Sequence, residues 1–199
     1  DGQRDYLEVE KSTSLTLKET TIIEGWIKVH EAAGETFLLS KDDPRKSGYS
    51  IMITGVPGQE SFDLVFTMGC RQRFINLTAP GAIPRDKWTH VMAIYGPGRN
   101  ELWVDFKEVA RQDRRIFYTP AQDVPLRIGK ASADLGGYFN GEIASIRFWR
   151  VNLYHRDVNY YRVPLDGDEY GLIAAWDFFQ GDGSLTDKGA GKLKAISKK

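Results

Sequence analysis

The chain has 199 residues, of which 41% are hydrophobic and 27% are charged, a composition typical of a globular protein. Lysine plus arginine and aspartate plus glutamate both number 27, so the formal net charge is zero. This balance argues against a nucleic-acid-binding protein, which usually carries a clustered positive excess. No apolar run reaches the length of a bilayer-spanning helix, so we predict no membrane insertion.

The single cysteine and the first residue restrict the setting of the chain. Cys70 stands alone, which excludes an intramolecular disulfide framework and a zinc site built from thiolates. A disulfide-free extracellular protein and a cytosolic protein both fit this cysteine content. The chain begins at Asp1 without a methionine, which suggests a domain processed or excised from a longer protein.

Short apolar or alternating stretches, separated by turn signals, run through the whole chain and predict β-strands. In chain order they occupy residues 5–10, 21–29, 36–40, 48–54, 61–68, 73–77, 88–95, 101–106, 126–130, 141–150 and 172–178. The stretch 88–95 is apolar at both odd and even positions, as expected of a strand buried on both faces. Only residues 154–162 have helical spacing, and they predict one short helix.

Strands without intervening helices predict an all-β fold of two antiparallel sheets packed face to face. We find no repeat, low-complexity tract or linker, and we expect one domain over residues 1–199. Indoles in apolar strands are expected to fill the space between the sheets, and they are Trp26, Trp88, Trp149 and Trp176. His90, within a predicted strand, is expected to be an interior imidazole with a hydrogen-bond partner.

Several sequence segments follow one another in a characteristic order. DGQRDYLEV at residues 1–9 is similar to the pattern DGxxDYVEI, and KWTHVMA at 87–93 is similar to WhHVAv. LRIG at 126–129, YFNGEI at 138–143 and GLIAAWDF at 171–178 match further patterns in register. Together they resemble the laminin-G-like, concanavalin-A-like lectin and glucanase family over nearly the whole chain. The resemblance implies a jelly-roll sandwich, to which residues 154–162 would add one short helix.

Two positions depart from the family pattern. Phe106 stands where the family has a turn glycine after Asp105, so we expect a strained turn there. Ala144 and Ser145 replace an acidic pair, so any role of that pair is not inherited.

The resemblance implies a non-catalytic module that binds a glycan or glycoprotein as part of a larger extracellular or cell-surface protein, beside other domains of the same polypeptide. Glucanases of this fold carry the strings Glu-x-Asp-x-x-Glu or Glu-x-Asp-x-Glu, and neither occurs here. Glu101 and Asp105 lie four apart on one predicted strand, so a glycoside hydrolase or polysaccharide lyase stays an alternative. A protein-adhesion or spacer domain is another, because this fold hosts many functions.

Sugar binding requires an aromatic surface beside polar side chains. We predict Trp103 as the strongest candidate, because Glu101 and Asp105 share its side of the strand. The other ligand-binding candidates are Tyr49, Arg71, Arg73, Asp134, Tyr138 and Asn140. For the two arginines a solvated surface is the simpler interpretation.

Calcium is the ion that the sequence favours, because short-spaced loop aspartates supply the oxygen ligands it prefers. The possible ligands are Asp42 and Asp43, or Asp166 and Asp168. Turn formation by aspartate explains both pairs equally well. Asn76, followed by Leu77 and Thr78, forms a glycosylation sequon that has meaning only in a eukaryotic secretory setting.

Overall fold

The computed structural model describes residues 4–43, 45–132, 136–150, 165–178, 185 and 187–198. These residues form thirteen β-strands in two antiparallel sheets, which confirms the predicted all-β sandwich. The strands are β1 (Tyr6–Val9), β2 (Thr21–Glu31), β3 (Gly34–Asp43), β4 (Ser47–Gly55), β5 (Ser61–Cys70), β6 (Arg73–Pro84), β7 (Trp88–Tyr95), β8 (Asn100–Val104), β9 (Lys107–Gln112), β10 (Leu126–Ile128), β11 (Asn140–Arg150), β12 (Leu172–Asp177) and β13 (Ala195–Lys198). The helix predicted over residues 154–162 lies outside the described part of the chain.

The strand order brings together segments that are far apart in the sequence. One sheet has seven strands in the order β13-β1-β10-β3-β4-β5-β6, and the other has six in the order β12-β11-β2-β7-β8-β9. Strand β12 pairs with β11 and β13 pairs with β1, so the C-terminal segment packs on the same sandwich. None of the described segments is a helix long and apolar enough to cross a membrane.

Two strands have weak sequence signals, and the periodicity of the sequence did not predict them. Strand β9 (Lys107–Gln112) lies at a sheet edge and is mostly exposed, so its residues are largely charged or polar. Strand β13 (Ala195–Lys198) has only four residues and also lies at an edge. An edge strand needs few apolar residues because one of its sides has no neighbouring strand to pack against.

The core between the sheets is built from side chains at alternate strand positions. Ile23 and Ile27 of β2 and Phe148 of β11 are almost completely buried there. Trp176 joins them, with its ring edge-on to Phe148 at 6.3 Å between centroids. Burying each such side chain stabilises the fold by about 1.5–3 kcal/mol.

The four tryptophans expected between the sheets do not all lie there. Trp176 is in the core, as predicted. Trp26 and Trp149 lie on the outer side of the six-stranded sheet, because their strand positions alternate with the inward Ile27 and Phe148. The prediction was wrong for these two and for Trp88, which begins β7 and is 42% exposed.

A second apolar cluster covers the outer side of the six-stranded sheet. It consists of Ile22, Met92, Ile94, Trp149, Leu165, Leu172 and Ala175. Strand β7 therefore places Met92 and Ile94 in this cluster and Val91 and Ala93 in the core. The prediction that this strand is buried on both faces is confirmed.

The turn between β8 and β9 keeps its shape without the family's glycine. Asp105 and Phe106 both have positive φ angles, of 46° and 65°, so the expected strain is present. The Phe106 ring stacks on His90 at 4.5 Å between centroids, and Asp105 Oδ1 accepts a hydrogen bond from the His90 amide at 2.9 Å. These contacts stabilise a conformation that glycine would adopt more easily.

Candidate functional site

A groove with a volume of about 600 Å³ crosses the outer side of the seven-stranded sheet. This volume lies in the range of small-molecule sites, roughly 300–1,000 Å³. The groove runs over strands β3 to β6 and is lined by Glu35, Phe37, Asp42, Asp43, Lys46, Ser50, Met52, Thr67, Phe74, Asn76, Ala131, Gly136 and Gly137.

Polar side chains form a row across the four strands beneath the groove. Ser40 pairs with Ser50, Ser50 with Thr67, and Thr67 with Asn76. Since strand side chains alternate between faces, these residues point away from the core that their neighbours fill. The row therefore gives the sheet a hydrogen-bonding surface at this place.

The hydrogen bonds of this row are unequally distributed. The Ser40 hydroxyl donates to the Lys130 carbonyl at 2.7 Å. The Thr67 hydroxyl donates to Asn76 Oδ1 at 3.1 Å, which leaves the Asn76 amide nitrogen as a donor for the groove. The Ser50 hydroxyl is buried and has no hydrogen-bond partner among the residues that the structure describes. An unpaired buried hydroxyl is costly, so Ser50 is suited to a polar group that enters the groove.

Apolar and charged side chains form the ends of the groove. Phe37 and Met52 are cross-strand neighbours on one side of the polar row. On the other side, Lys46 Nζ lies 4.8 Å from the centre of the Phe74 ring. Lys46 reaches this position because the β3–β4 turn lies directly on Gly69, where a Cβ atom would contact the Lys46 carbonyl.

Two neighbouring aspartates differ in electrostatic environment. Burial raises the pKa of Asp42 to about 6, and the charge of Asp43 adds to this effect. A hydrogen bond with Ser132 and the charge of Lys46 act in the opposite direction. For Asp43, burial raises the pKa, but hydrogen bonds from Ser47 and Arg45 outweigh it and lower the pKa below its ordinary value. The pKa of the Asp42 carboxyl group is thus raised to about 6, while that of the neighbouring Asp43 is lowered.

The structure places the strongest sequence candidate away from this groove. Trp103 belongs to the six-stranded sheet, packs against the outer apolar cluster and donates from Nε1 to Glu101 Oε2 at 2.6 Å. Glu101 is buried and also pairs with Arg99, while Asp105 Oδ1 accepts a hydrogen bond from the His90 amide of β7. Both carboxylates named for a catalytic alternative therefore have structural partners.

Tyr49, one of the ligand-binding candidates, does not lie at the surface. Its side chain is fully buried in the core, and its hydroxyl donates to the Leu15 carbonyl at 2.7 Å. Tyr49 alternates along β4 with Ser50, so it points to the inner face while Ser50 points outward. Because adjacent residues of a strand point to opposite faces, the orientation of β4 that buries Tyr49 also places Ser50 and the polar row on the outer face.

The other sequence candidates lie around the groove rather than in it. Tyr138 and Asn140 line a smaller depression that shares Glu35 and Gly137 with the groove. Arg71 and Arg73 are exposed at the β5–β6 turn. Asp134 lies outside the described residues.

The two calcium hypotheses differ in geometry. Asp43 is already engaged by Arg45 and Ser47, so it does not form a pair of free oxygen ligands with Asp42. Asp166 and Asp168 come together with Glu169, with one carboxylate oxygen of each within 4.8 Å of the others. Both oxygens of Glu169 already accept hydrogen bonds, from the amides of Asp166 and Gly167.

Among the residues that line the groove, only Asp42 and Asp43 were named as candidate site residues from the sequence, and they were named as calcium ligands. The signal was present in β4 and β5, where Ser50 and Thr67 interrupt otherwise apolar strands. Their alignment depends on the pairing of four strands, which the sequence does not display. His90, by contrast, is buried as predicted, with Nε2 2.7 Å from Glu24 Oε2.

Solved structures with a similar fold include sugar-binding proteins and an enzyme. A candidate carbohydrate-binding protein from Bacteroides ovatus is 16% identical with a TM-score of 0.71, over 98% of this chain and 58% of that one. The CBM40 of the Ruminococcus gnavus IT-sialidase, which is also known with bound α2,3 sialyllactose, is 15% identical with a TM-score of 0.56, over 74% and 89%. The enzymatically active domain of tailspike protein 2 from bacteriophage CBA120 is 12% identical with a TM-score of 0.60, over 88% and 28%.

These likenesses show the fold alone, and the chain spans little more than half the length of the Bacteroides protein. No curated protein sequence matches the chain. The model of the concanavalin A-like lectin/glucanases superfamily matches residues 1–159, which agrees with the segments that resemble this family. The chain therefore belongs to the concanavalin A-like lectin/glucanase superfamily.

Proposed function

We propose that the chain is a non-catalytic glycan-binding module of a larger extracellular protein and that it binds its ligand in the groove over β3 to β6. The observation that carries this proposal is the buried Ser50 hydroxyl, which lines the groove and lacks a partner among the described residues. A ligand hydroxyl can accept from this group or donate to it, which removes the cost of leaving it unpaired.

The remaining groove side chains suit a sugar. The Asn76 amide donates, and the Asp42 carboxyl, with its pKa of about 6, is mostly an ionised acceptor at neutral pH. The Phe37 and Phe74 rings offer apolar surface for the C–H face of a pyranose. In small-ligand sites, a small number of polar groups between apolar walls fix the orientation of the ligand and give specificity. We choose a sugar over another small polar ligand because structurally similar proteins include a candidate carbohydrate-binding protein and a CBM40 with bound sialyllactose.

A glycan array covering neutral, acidic and sialylated sugars, followed by calorimetry on the hits, tests the proposal. Asn76→Ala and Asp42→Asn should each weaken binding about tenfold, because each removes a hydrogen-bond partner of the ligand. Thr78→Ala removes an exposed hydroxyl from the same strand outside the groove and serves as the matched control. Flat array responses, or equal affinities for all three variants, would contradict the proposal.

Two further measurements use the same samples. Calorimetry with and without calcium tests our proposal that the Asp166, Asp168 and Glu169 turn holds this ion. Incubation of the bound glycan with the protein tests the non-catalytic assignment. Turnover that disappears in Glu101→Gln would replace that assignment by a hydrolase or lyase.

A further inference from the structure

An exposed aromatic ring lies among arginines at the edge of the sandwich. Phe117 is 52% exposed, and the guanidinium carbons of Arg71 and Arg115 lie 4.5 and 5.3 Å from the centre of its ring. Arg73 and Arg114, next to this pair along the chain, are also exposed. We call these four arginines and Phe117 the arginine rim.

Backbone hydrogen bonds hold the two segments of the arginine rim together. The Thr119 amide donates to the Gly69 carbonyl at 2.9 Å, and the Gly48 amide donates to the Thr119 carbonyl at 2.7 Å. The Arg71 amide donates to the Thr119 hydroxyl at 3.3 Å, and Ile116 is buried beside Phe117. A surface fixed in this way loses little conformational freedom when it binds a partner.

The charges of the arginine rim are not neutralised within the described residues. Arg71, Arg73, Arg114 and Arg115 form no ion pair with a described carboxylate. The nearby Arg111 differs, because its Nε lies 2.8 Å from Asp113 Oδ2. In a chain of zero net charge, Arg71 and Arg115, which lie against one ring and have no acidic partner among the described residues, form a local positive surface. Guanidinium groups bind sulfate and carboxylate through paired hydrogen bonds.

We propose that the arginine rim is a second binding surface, which holds the sulfate or carboxylate groups of an acidic polysaccharide. The choice of a polysaccharide over an acidic protein rests on the proposed function of the groove. Phe74 lines the end of the groove and is three residues from Arg71 in the same tight hairpin. One extended polysaccharide can therefore contact the groove and the rim together.

Binding of dextran sulfate, with unsulfated dextran and poly-glutamate as comparison ligands, tests this inference by surface biosensor at two salt concentrations. The double variant Arg71→Gln/Arg115→Gln should lower affinity for dextran sulfate at least about tenfold at low salt, with a smaller loss at high salt. Arg111→Gln removes one positive charge, as each substitution of the double variant does, but from an arginine that forms an ion pair. It should change affinity less than about twofold. Circular dichroism and thermal unfolding establish that each variant is folded.

The outcomes separate this inference from the proposed function. Dextran sulfate binding that fails in the double variant but persists in Asp42→Asn supports a distinct second surface. Equal losses in Arg111→Gln and in the double variant would overturn it, as would binding of plain dextran with the same affinity. Poly-glutamate binding as tightly as dextran sulfate would overturn the choice of a polysaccharide. Loss of array hits in Asp42→Asn, with an unaffected double variant, would leave the groove proposal standing and refute this one.

Discussion

The outer sides of the two sheets both carry polar residues within their strands, but they use them differently. On the six-stranded sheet, Glu24 accepts hydrogen bonds or pairs with two buried partners, Trp149 Nε1 at 2.9 Å and His90 Nε2 at 2.7 Å. On the seven-stranded sheet, Ser50 is equally buried but lacks a partner among the described residues. The Glu24 carboxylate therefore has its partners within the protein, whereas the Ser50 hydroxyl is left for a ligand.

This difference shows why large aromatic residues were a poor guide to the site. Trp103 and Trp149 are conspicuous in the sequence, yet they pack in or against an apolar cluster on the six-stranded sheet. The groove has small polar residues at its centre and phenylalanines at its sides. A side chain that fills space contributes to stability, while a groove forms where side chains are short.

The largest expected effect concerns Glu24 on the six-stranded sheet. Glu24→Ala removes the acceptor that His90 and Trp149 share in a buried setting, so the free energy of unfolding should fall by about 3 kcal/mol. Urea unfolding followed by tryptophan fluorescence measures this change. Glu8→Ala, which removes a partly exposed partner of Arg127, should cost less than about 1 kcal/mol. Similar losses in the two variants would contradict the assigned role of Glu24.

The next effect is the pH dependence that Asp42 gives to stability. Its pKa is about 6 in the folded chain against an ordinary value of 3.8, so between these values the folded chain keeps a proton that the unfolded chain has released. The Asp42 contribution to stability is therefore complete below the lower value and is lost as the pH rises through the upper one. A shift of roughly two pKa units corresponds to a contribution of up to about 3 kcal/mol.

Asp42→Asn isolates this contribution from carboxyl groups with lowered pKa, such as Asp43, which act in the opposite direction. Unfolding free energies of both proteins at several pH values from 4 to 7 provide the measurement. The wild type should lose stability relative to the variant as the pH rises. A constant difference between the two curves would show that Asp42 does not titrate in this interval.

A smaller effect compares two cross-strand neighbours in the polar row. Ser40→Ala leaves the Lys130 carbonyl without its donor and should destabilise the fold by about 1 kcal/mol. Ser50→Ala removes a hydroxyl that has no described partner, so stability should stay within about 0.5 kcal/mol of the wild type or increase. Thermal unfolding measures both changes. If Ser50→Ala destabilises the fold as much as Ser40→Ala, the hydroxyl has a structural role that the groove proposal denies.

The smallest effect is expected at Trp103. Trp103→Phe should leave glycan affinity within about twofold of the wild type, because the indole lies on the sheet that does not carry the groove. Phe74→Ala, which removes an apolar wall of the groove, should weaken binding up to about tenfold. Calorimetry with a glycan identified on the array compares the two. A reversed order would move the binding site to the six-stranded sheet.

The alternation of residues along each strand was sufficient to predict eleven of the strands, because burial on one face imposes a period of two on the sequence. The family segments placed those strands in a jelly-roll sandwich. The sequence also predicted strain at Asp105 and Phe106, since a residue with a Cβ atom is disfavoured at positive φ.

Tertiary structure alone decided which surface carries the candidate site. Tyr49 and Ser50 are adjacent in the sequence, and only the side of the sheet that meets the core determines that the first is buried there and the second lines the groove. The row from Ser40 to Asn76 likewise exists only because four strands pair in one register. Local periodicity determines which residues share a face, but only long-range pairing and packing determine which faces are open to a ligand.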